Sequence, residues 1–87
     1  MTRYTVEFSR TAEKALAQLQ PQMRRRVDGA IQVLSIDPYP PNSRPVKGTN
    51  TFRLRAGDYR IVYRVDRGVL TVIIFDIGHR RNIYRKF

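Results

Sequence analysis

The sequence predicts an α+β domain with the order β-α-α-β-β-β, a mainly antiparallel four-stranded sheet with a two-helix hairpin packed on one face. Two observations carry that expectation. Apolar residues alternate with polar ones at the start of the chain, recur at helical spacing between residues 12 and 34, and alternate again from residue 51 onward. Gly57-Asp58 then separates two of the later alternating runs by two residues, the length of a tight hairpin with glycine at its first central position. Two amphipathic helices over one sheet face is the economical way to bury all these stripes. A chain of 87 residues hides only about 60–65% of its unfolded surface on folding, so residues 1–87 are expected to form a single domain.

In RYTVEF, Tyr4, Val6 and Phe8 share one side and Arg3, Thr5 and Glu7 the other, the period of a half-buried strand. Ser9 suits a helix cap, with Glu13 in the first turn where a carboxylate favours the helix dipole. Ala12, Ala15, Leu16 and Leu19 then form one apolar stripe. Pro21 fits the first turn of a second helix, in which Met23, Val27, Ala30, Ile31 and Leu34 repeat the spacing. The DPYPPNSRP cluster, residues 37–45, stops that helix and is expected to be a semi-extended loop. Strands are predicted over 51–56, 59–65 and 69–77, the last two joined by a turn of two or three residues at Asp66-Arg67-Gly68. Those two lengths swap the faces of the last strand, and its apolar character on both sides leaves the register open.

The 17 Lys plus Arg against 7 Asp plus Glu give a formal charge of +10, and fourteen of the bases are arginine. Residues 1–36 hold six bases and three acids, whereas residues 44–87 hold eleven bases and three acids. A basic half points to a polyanion, most often nucleic acid; a merely solvated basic surface is the competing reading. With no cysteine, disulfides and thiolate metal sites are excluded. No run approaches the ~20 apolar residues of a membrane span, and the N-terminus lacks a hydrophobic signal segment, so a soluble cytoplasmic protein without membrane contacts is expected.

A two-residue loop at Gly57-Asp58 pairs Ala56 with Tyr59, Leu54 with Ile61 and Phe52 with Tyr63, the face beneath the helices. Arg53, Arg55, Arg60 and Arg64 then share the opposite face, with Arg55 directly across from Arg60. Facing like charges cost a few tenths to about 1 kcal/mol, which a fold alone has no reason to choose. A bound phosphate supplies a reason, because guanidinium forks match its oxygens; the alternative is a solvated face with splayed arginines. The tail GHRRNIYRKF brings His79, Arg80, Arg81, Tyr84, Arg85 and Lys86 to this face or its rim.

Arginines, a tyrosine and a histidine without clustered carboxylates suit metal-free phosphodiester chemistry better than metal binding, so neither metal nor other cofactor is expected. Attack by a ribose 2′-hydroxyl requires a base at that hydroxyl, an acid at the leaving 5′-oxygen and cations between them. Tyr84 is a base where surrounding cations favour its phenolate, or a stacking platform for a nucleobase. His79 is a candidate acid or base because histidine titrates near neutrality, and a structural role stands beside it.

The opening VEFS, the central FRLRAGDYRIVYRV and the terminal IGHRRNIY resemble the RelE branch of the RelE/ParE toxin superfamily along essentially the whole chain. The resemblance implies a type II toxin–antitoxin toxin, a ribosome-dependent mRNA endonuclease. Such an enzyme cuts message in the A site by metal-free 2′-hydroxyl attack. The implied partners are a cognate antitoxin, mRNA in the ribosomal A site, and operator DNA reached only through the antitoxin complex.

Carried over by position, the family's catalytic or stabilising residues fall on Arg60, Arg80 and Tyr84. The family's two basic residues before the turn fall on Arg53 and Arg55, which join Arg64 and Arg81, placed by the pairing and the tail, as the phosphate- or RNA-binding set. The best-known RelE pattern has lysines at positions 53 and 55, one of them proposed as a proton acceptor; an arginine is a poor acceptor, which shifts that role to Tyr84. The alternatives are a ParE-like DNA gyrase inhibitor and an RNA-binding relative that does not cleave.

Overall fold

The structure, a computed structural model, describes the backbone of residues 3–86 and side chains from Arg3 to Ile83. Its elements are β1 (Thr5–Phe8), α1 (Arg10–Ala17), α2 (Pro21–Ile36), β2 (Ser43–Pro45), β3 (Phe52–Ala56), β4 (Tyr59–Asp66), β5 (Thr71–His79) and α3 (Arg80–Lys86). The strands form one sheet in the order β1-β5-β4-β3-β2, antiparallel except for the parallel β1–β5 pair.

Local chemistry fixes the helix ends. Ser9 Oγ accepts the Ala12 N–H at 3.0 Å and donates to the Phe75 carbonyl at 2.6 Å, so one hydroxyl caps α1 and ties its start to β5. Pro21 occupies the first turn of α2, where its missing N–H costs nothing. Asp37 closes that helix, its N–H donating to Val33 O at 2.8 Å, and its carboxylate accepts the Tyr39 N–H at 3.0 Å in a local turn that leads away.

The predicted apolar stripes meet on one face of the sheet. Ala12, Val27, Ile31 and Leu34 from the helices pack with Leu54, Ala56, Ile61, Tyr63, Val72, Ile74 and Ile77 from the strands. Tyr63 is fully buried, stacks on Phe52 and donates its hydroxyl to Pro38 O at 2.7 Å. Burial pushes its phenol up to about 12, so it is a neutral structural hydrogen-bond donor.

Three expectations are corrected. The segment read as a loop contains a fifth, edge strand: Ser43, Arg44 and Pro45 pair with Leu54, Arg53 and Phe52. Pro45 is tolerated there because an edge strand has one side that needs no donor. The β4–β5 connection is neither two nor three residues long: pairing stops at Asp66↔Thr71, leaving a four-residue turn over 67–70. Asp66 Oδ1 organises it by accepting the Gly68 and Val69 N–H groups at 3.0 and 3.3 Å, and Leu70 takes a left-handed φ of 47°. The last strand therefore runs over 71–79 rather than 69–77, and Val69 and Leu70 are exposed.

A register shift settles the ambiguity in that strand. Tyr63 pairs with Ile74 while Val62 pairs with Asp76, so Phe75 is an extra residue in a β-bulge. The bulge lets Val72, Ile74 and Ile77 all reach the helix-covered core although their spacing breaks simple alternation. None of the helices is long and apolar enough to cross a membrane, among the described residues.

Candidate phosphate-binding groove

The β3–β4 hairpin has the pairing that the sequence predicts, Ala56↔Tyr59, Leu54↔Ile61 and Phe52↔Tyr63, with Arg55 directly opposite Arg60. Gly57 makes the turn possible, because its φ of +62° is a conformation that costs a side-chain-bearing residue energy. With Leu54, Ile61 and Tyr63 committed to the core, alternation sends Arg53, Arg55, Arg60 and Arg64 to the other face.

The structure gathers three of these four, with one arginine that the sequence reading missed. Arg44, Arg53, Arg55 and Arg60 line a groove of about 220 Å³ together with Pro41 and Asn42. Arg44 enters because β2 pairs it across from Arg53, making a second like-charge pair beside Arg55↔Arg60. Its signal in the sequence was the polar residue before Pro45, compatible with an edge strand, but only the ladder to β3 revealed its partner. Asn42 continues the contact past the strand end, donating its amide to Arg55 O at 2.8 Å while its carbonyl accepts the Arg55 N–H at 3.2 Å.

Backbone oxygens hold two of the guanidinium groups in place. Arg44 Nη1 donates to Pro41 O at 2.9 Å and Ser43 O at 2.8 Å, and Arg60 Nη1 donates to Gly57 O at 2.9 Å and Tyr59 O at 3.0 Å. No carboxylate lines the groove among the described residues, so the local potential is positive. Four planar forks on a rigid sheet are suited to gripping the oxygens of a phosphate and to stabilising added negative charge upon it.

The remaining predicted residues divide. Arg64 lies on the arginine face but outside the groove, with its guanidinium carbon 5.6 Å from the Phe75 ring centroid. Arg80 begins α3 beside the β3–β4 turn, outside the groove's lining, its N–H donating to Asp58 O at 2.8 Å, and Arg81 follows it on the exposed surface. His79 departs from the expectation. It pairs with Tyr59, meets that ring edge-on at a centroid distance of 5.7 Å on the helix-covered side, and accepts the Arg81 N–H on Nδ1 at 3.2 Å. These contacts start α3 and take the imidazole away from the arginine groove.

The side chain of Tyr84 lies outside the described residues, but its helix is placed. Ile83 is buried, with its Cδ1 only 3.2 Å from where a Cβ would stand on Gly78. Gly78 is the register partner of Arg60, so α3 packs against the face that carries the groove. The glycine permits that approach. Among the described residues, no three His, Cys, Asp or Glu side chains converge as metal ligands.

An α+β domain with this sheet order has a RelE-like fold, and comparison with known proteins places the chain within that class. A family model described as the ParE toxin of type II toxin–antitoxin systems, parDE, matches residues 6–84. Toxin RelG of Mycobacterium tuberculosis is 39% identical over 95% of this chain and 98% of its own length. A chain of the RelBE2 toxin–antitoxin complex of the same organism superposes with a TM-score of 0.79 at 36% identity, covering 90% of this chain and 99% of that one. The RelE–RelB complex of Pyrococcus horikoshii gives 0.81 at 28% identity over 94% and 99%. The chain belongs to the RelE/ParE superfamily of type II toxin–antitoxin toxins.

Proposed function

We propose that this toxin is a ribosome-dependent mRNA endonuclease that acts by metal-free 2′-hydroxyl attack, with Arg53, Arg55 and Arg60 holding the scissile phosphate. The observation that carries the reading is the groove itself, where like charges face one another across two ladders beside the helix that bears Tyr84. Arg44 joins the phosphate-binding set, and Arg64 and Arg81 extend it toward flanking phosphates.

In the proposed reaction the 2′-oxygen forms a bond to phosphorus and the P–O5′ bond breaks, leaving a 2′,3′-cyclic phosphate and a 5′-hydroxyl. Tyr84 takes the 2′-hydroxyl proton, Arg80 stabilises the leaving 5′-oxygen, which takes up a proton from solvent water to become the 5′-hydroxyl, and the groove arginines stabilise the five-coordinate phosphorus. His79 serves the architecture of α3 in this scheme. The toxin acts in the cytoplasm, is held inactive by a cognate antitoxin, and reaches operator DNA only within that complex. Support for an antitoxin comes from the similar chains, which were solved in complex with RelB-type partners.

Inducing the protein in cells and mapping new 5′-hydroxyl ends on translated message tests the reading. Ends confined to ribosome-bound mRNA are expected, and the double variant Arg80→Ala/Tyr84→Phe should abolish both the cuts and the growth arrest while remaining folded. Continued cutting by that variant would refute the site. The match to the ParE family model favours a second reading, inhibition of DNA gyrase. That activity would produce DNA-damage signalling with intact message. Salt-sensitive RNA binding without cyclic-phosphate ends would instead identify a non-cleaving relative.

A further inference from the structure

Tyr59 and Arg60 are successive residues at the start of β4, so their side chains leave one corner of the sheet on opposite faces. Arg60 lines the groove. Tyr59 lines a second cavity, of about 480 Å³, on the helix-covered side, completed by Gln20, Gln22, Met23 and Arg26 around the start of α2. The Tyr59 ring is half-buried, packed against the core and braced edge-on by His79, which fixes its plane. Arg26 links the two cavities: its Nη1 lies 2.5 Å from the position a Cβ would take on Gly57, the residue whose carbonyl accepts from Arg60 Nη1. Positive charge thus runs from the groove, over the turn, to the aromatic cavity.

We propose that this cavity is a nucleobase subsite, occupied by the base of a nucleotide flanking the one whose phosphate sits in the groove. The inference rests on the RNA reading above and adds a second contact to it. Tyr59 supplies a stacking surface, and the amides of Gln20 and Gln22 can donate to and accept from a heterocycle that presents both kinds of group. Arg26 holds the phosphate between the two nucleotides as the strand rounds the turn. The volume falls in the range of small-ligand pockets, roughly 300–1,000 Å³. An aliphatic side chain from a protein partner would use neither amide, which favours a base.

The test is binding of a short, fully 2′-O-methylated RNA, which lacks the attacking hydroxyl, both free and seated in the A site of a ribosome, as an intact strand and as a series with one abasic position moved along it. Removing the base at one or two adjacent positions should weaken binding to the unaltered protein about tenfold, the usual effect of losing one stacked base. Tyr59→Leu should weaken the intact strand to the same extent and leave the matching abasic strand unchanged. Gln20→Ala/Gln22→Ala, two exposed substitutions that leave the core intact, should give a smaller loss with the same selectivity. Arg53→Ala should weaken every strand alike.

A flat abasic series with Arg53 sensitivity retained overturns the subsite alone. The same holds if Tyr59→Leu weakens intact and abasic strands equally, or impairs only antitoxin binding. If the unaltered protein binds no strand, free or in the ribosomal A site, and Arg53→Ala changes nothing, the RNA reading fails and the subsite falls with it.

Discussion

Leu54, Ile61 and Tyr63 on one side of the β3–β4 hairpin are 1% exposed or less, whereas their sequence neighbours Arg53, Arg55 and Arg60 open onto a groove. The backbone is shared, so the difference lies in what each face does with its side chains. Burial on the helix-covered face contributes about 1.5–3 kcal/mol for each large apolar residue. The opposite face sets Arg44 beside Arg53 and Arg55 beside Arg60, arrangements that each cost a few tenths to about 1 kcal/mol. One face supplies the stability that the other draws upon, as expected where function and folding compete. The arginine face is not uniformly polar, however: Val62 and Ile83 are buried there, apart from the main core, and seat α3.

Ile61→Ala should produce the largest change, a loss of about 2–5 kcal/mol. In a domain of this size each 1 kcal/mol corresponds to about 4–8 °C, so thermal unfolding should shift down by at least about 8 °C. A shift of only a degree or two would show that the helix-covered face does not carry the fold. Gly78→Ala comes next, because the new methyl group would stand 3.2 Å from Ile83 Cδ1, and the side chain that seats α3 must give way. The expected loss is about 1–3 kcal/mol, with cleavage falling further than stability because α3 carries Arg80 and Tyr84. Equal activity in the variant would separate the position of α3 from function.

Tyr63→Phe should cost about 1 kcal/mol, since it leaves the Pro38 carbonyl without its donor. The same phenol gives a pH signature. Its folded value of about 12 exceeds the ordinary 10, so the stability it contributes is complete below pH 10 and declines as pH rises from 10 toward 12. Denaturant titrations across that range should show a steeper decline in the unaltered protein than in Tyr63→Phe. The smallest effect has the opposite sign: Arg55→Thr should raise stability by a few tenths to about 1 kcal/mol while weakening RNA cleavage. Calorimetry beside a cleavage assay would check both halves, and a destabilised variant would contradict the account of the facing arginines.

Residues adjacent in sequence determined much of this. Alternation within two strands joined by a two-residue turn fixes which side chains share a face, so Arg53, Arg55, Arg60 and Arg64 could be placed together from spacing alone. Heptad-like spacing did the same for Val27, Ile31 and Leu34, and Ser9 announced its helix. Tertiary structure decided what periodicity cannot encode, namely how segments far apart in the chain meet. Arg44 joined the groove only through pairing with β3, the bulge at Phe75 chose the faces of β5, and packing of Ile83 on Gly78 brought α3 to the arginine face. The same geometry turned His79 toward Tyr59. Local alternation reports a side chain's direction relative to its own strand, whereas membership of a site depends on long-range hydrogen bonds and contacts that only the folded chain makes.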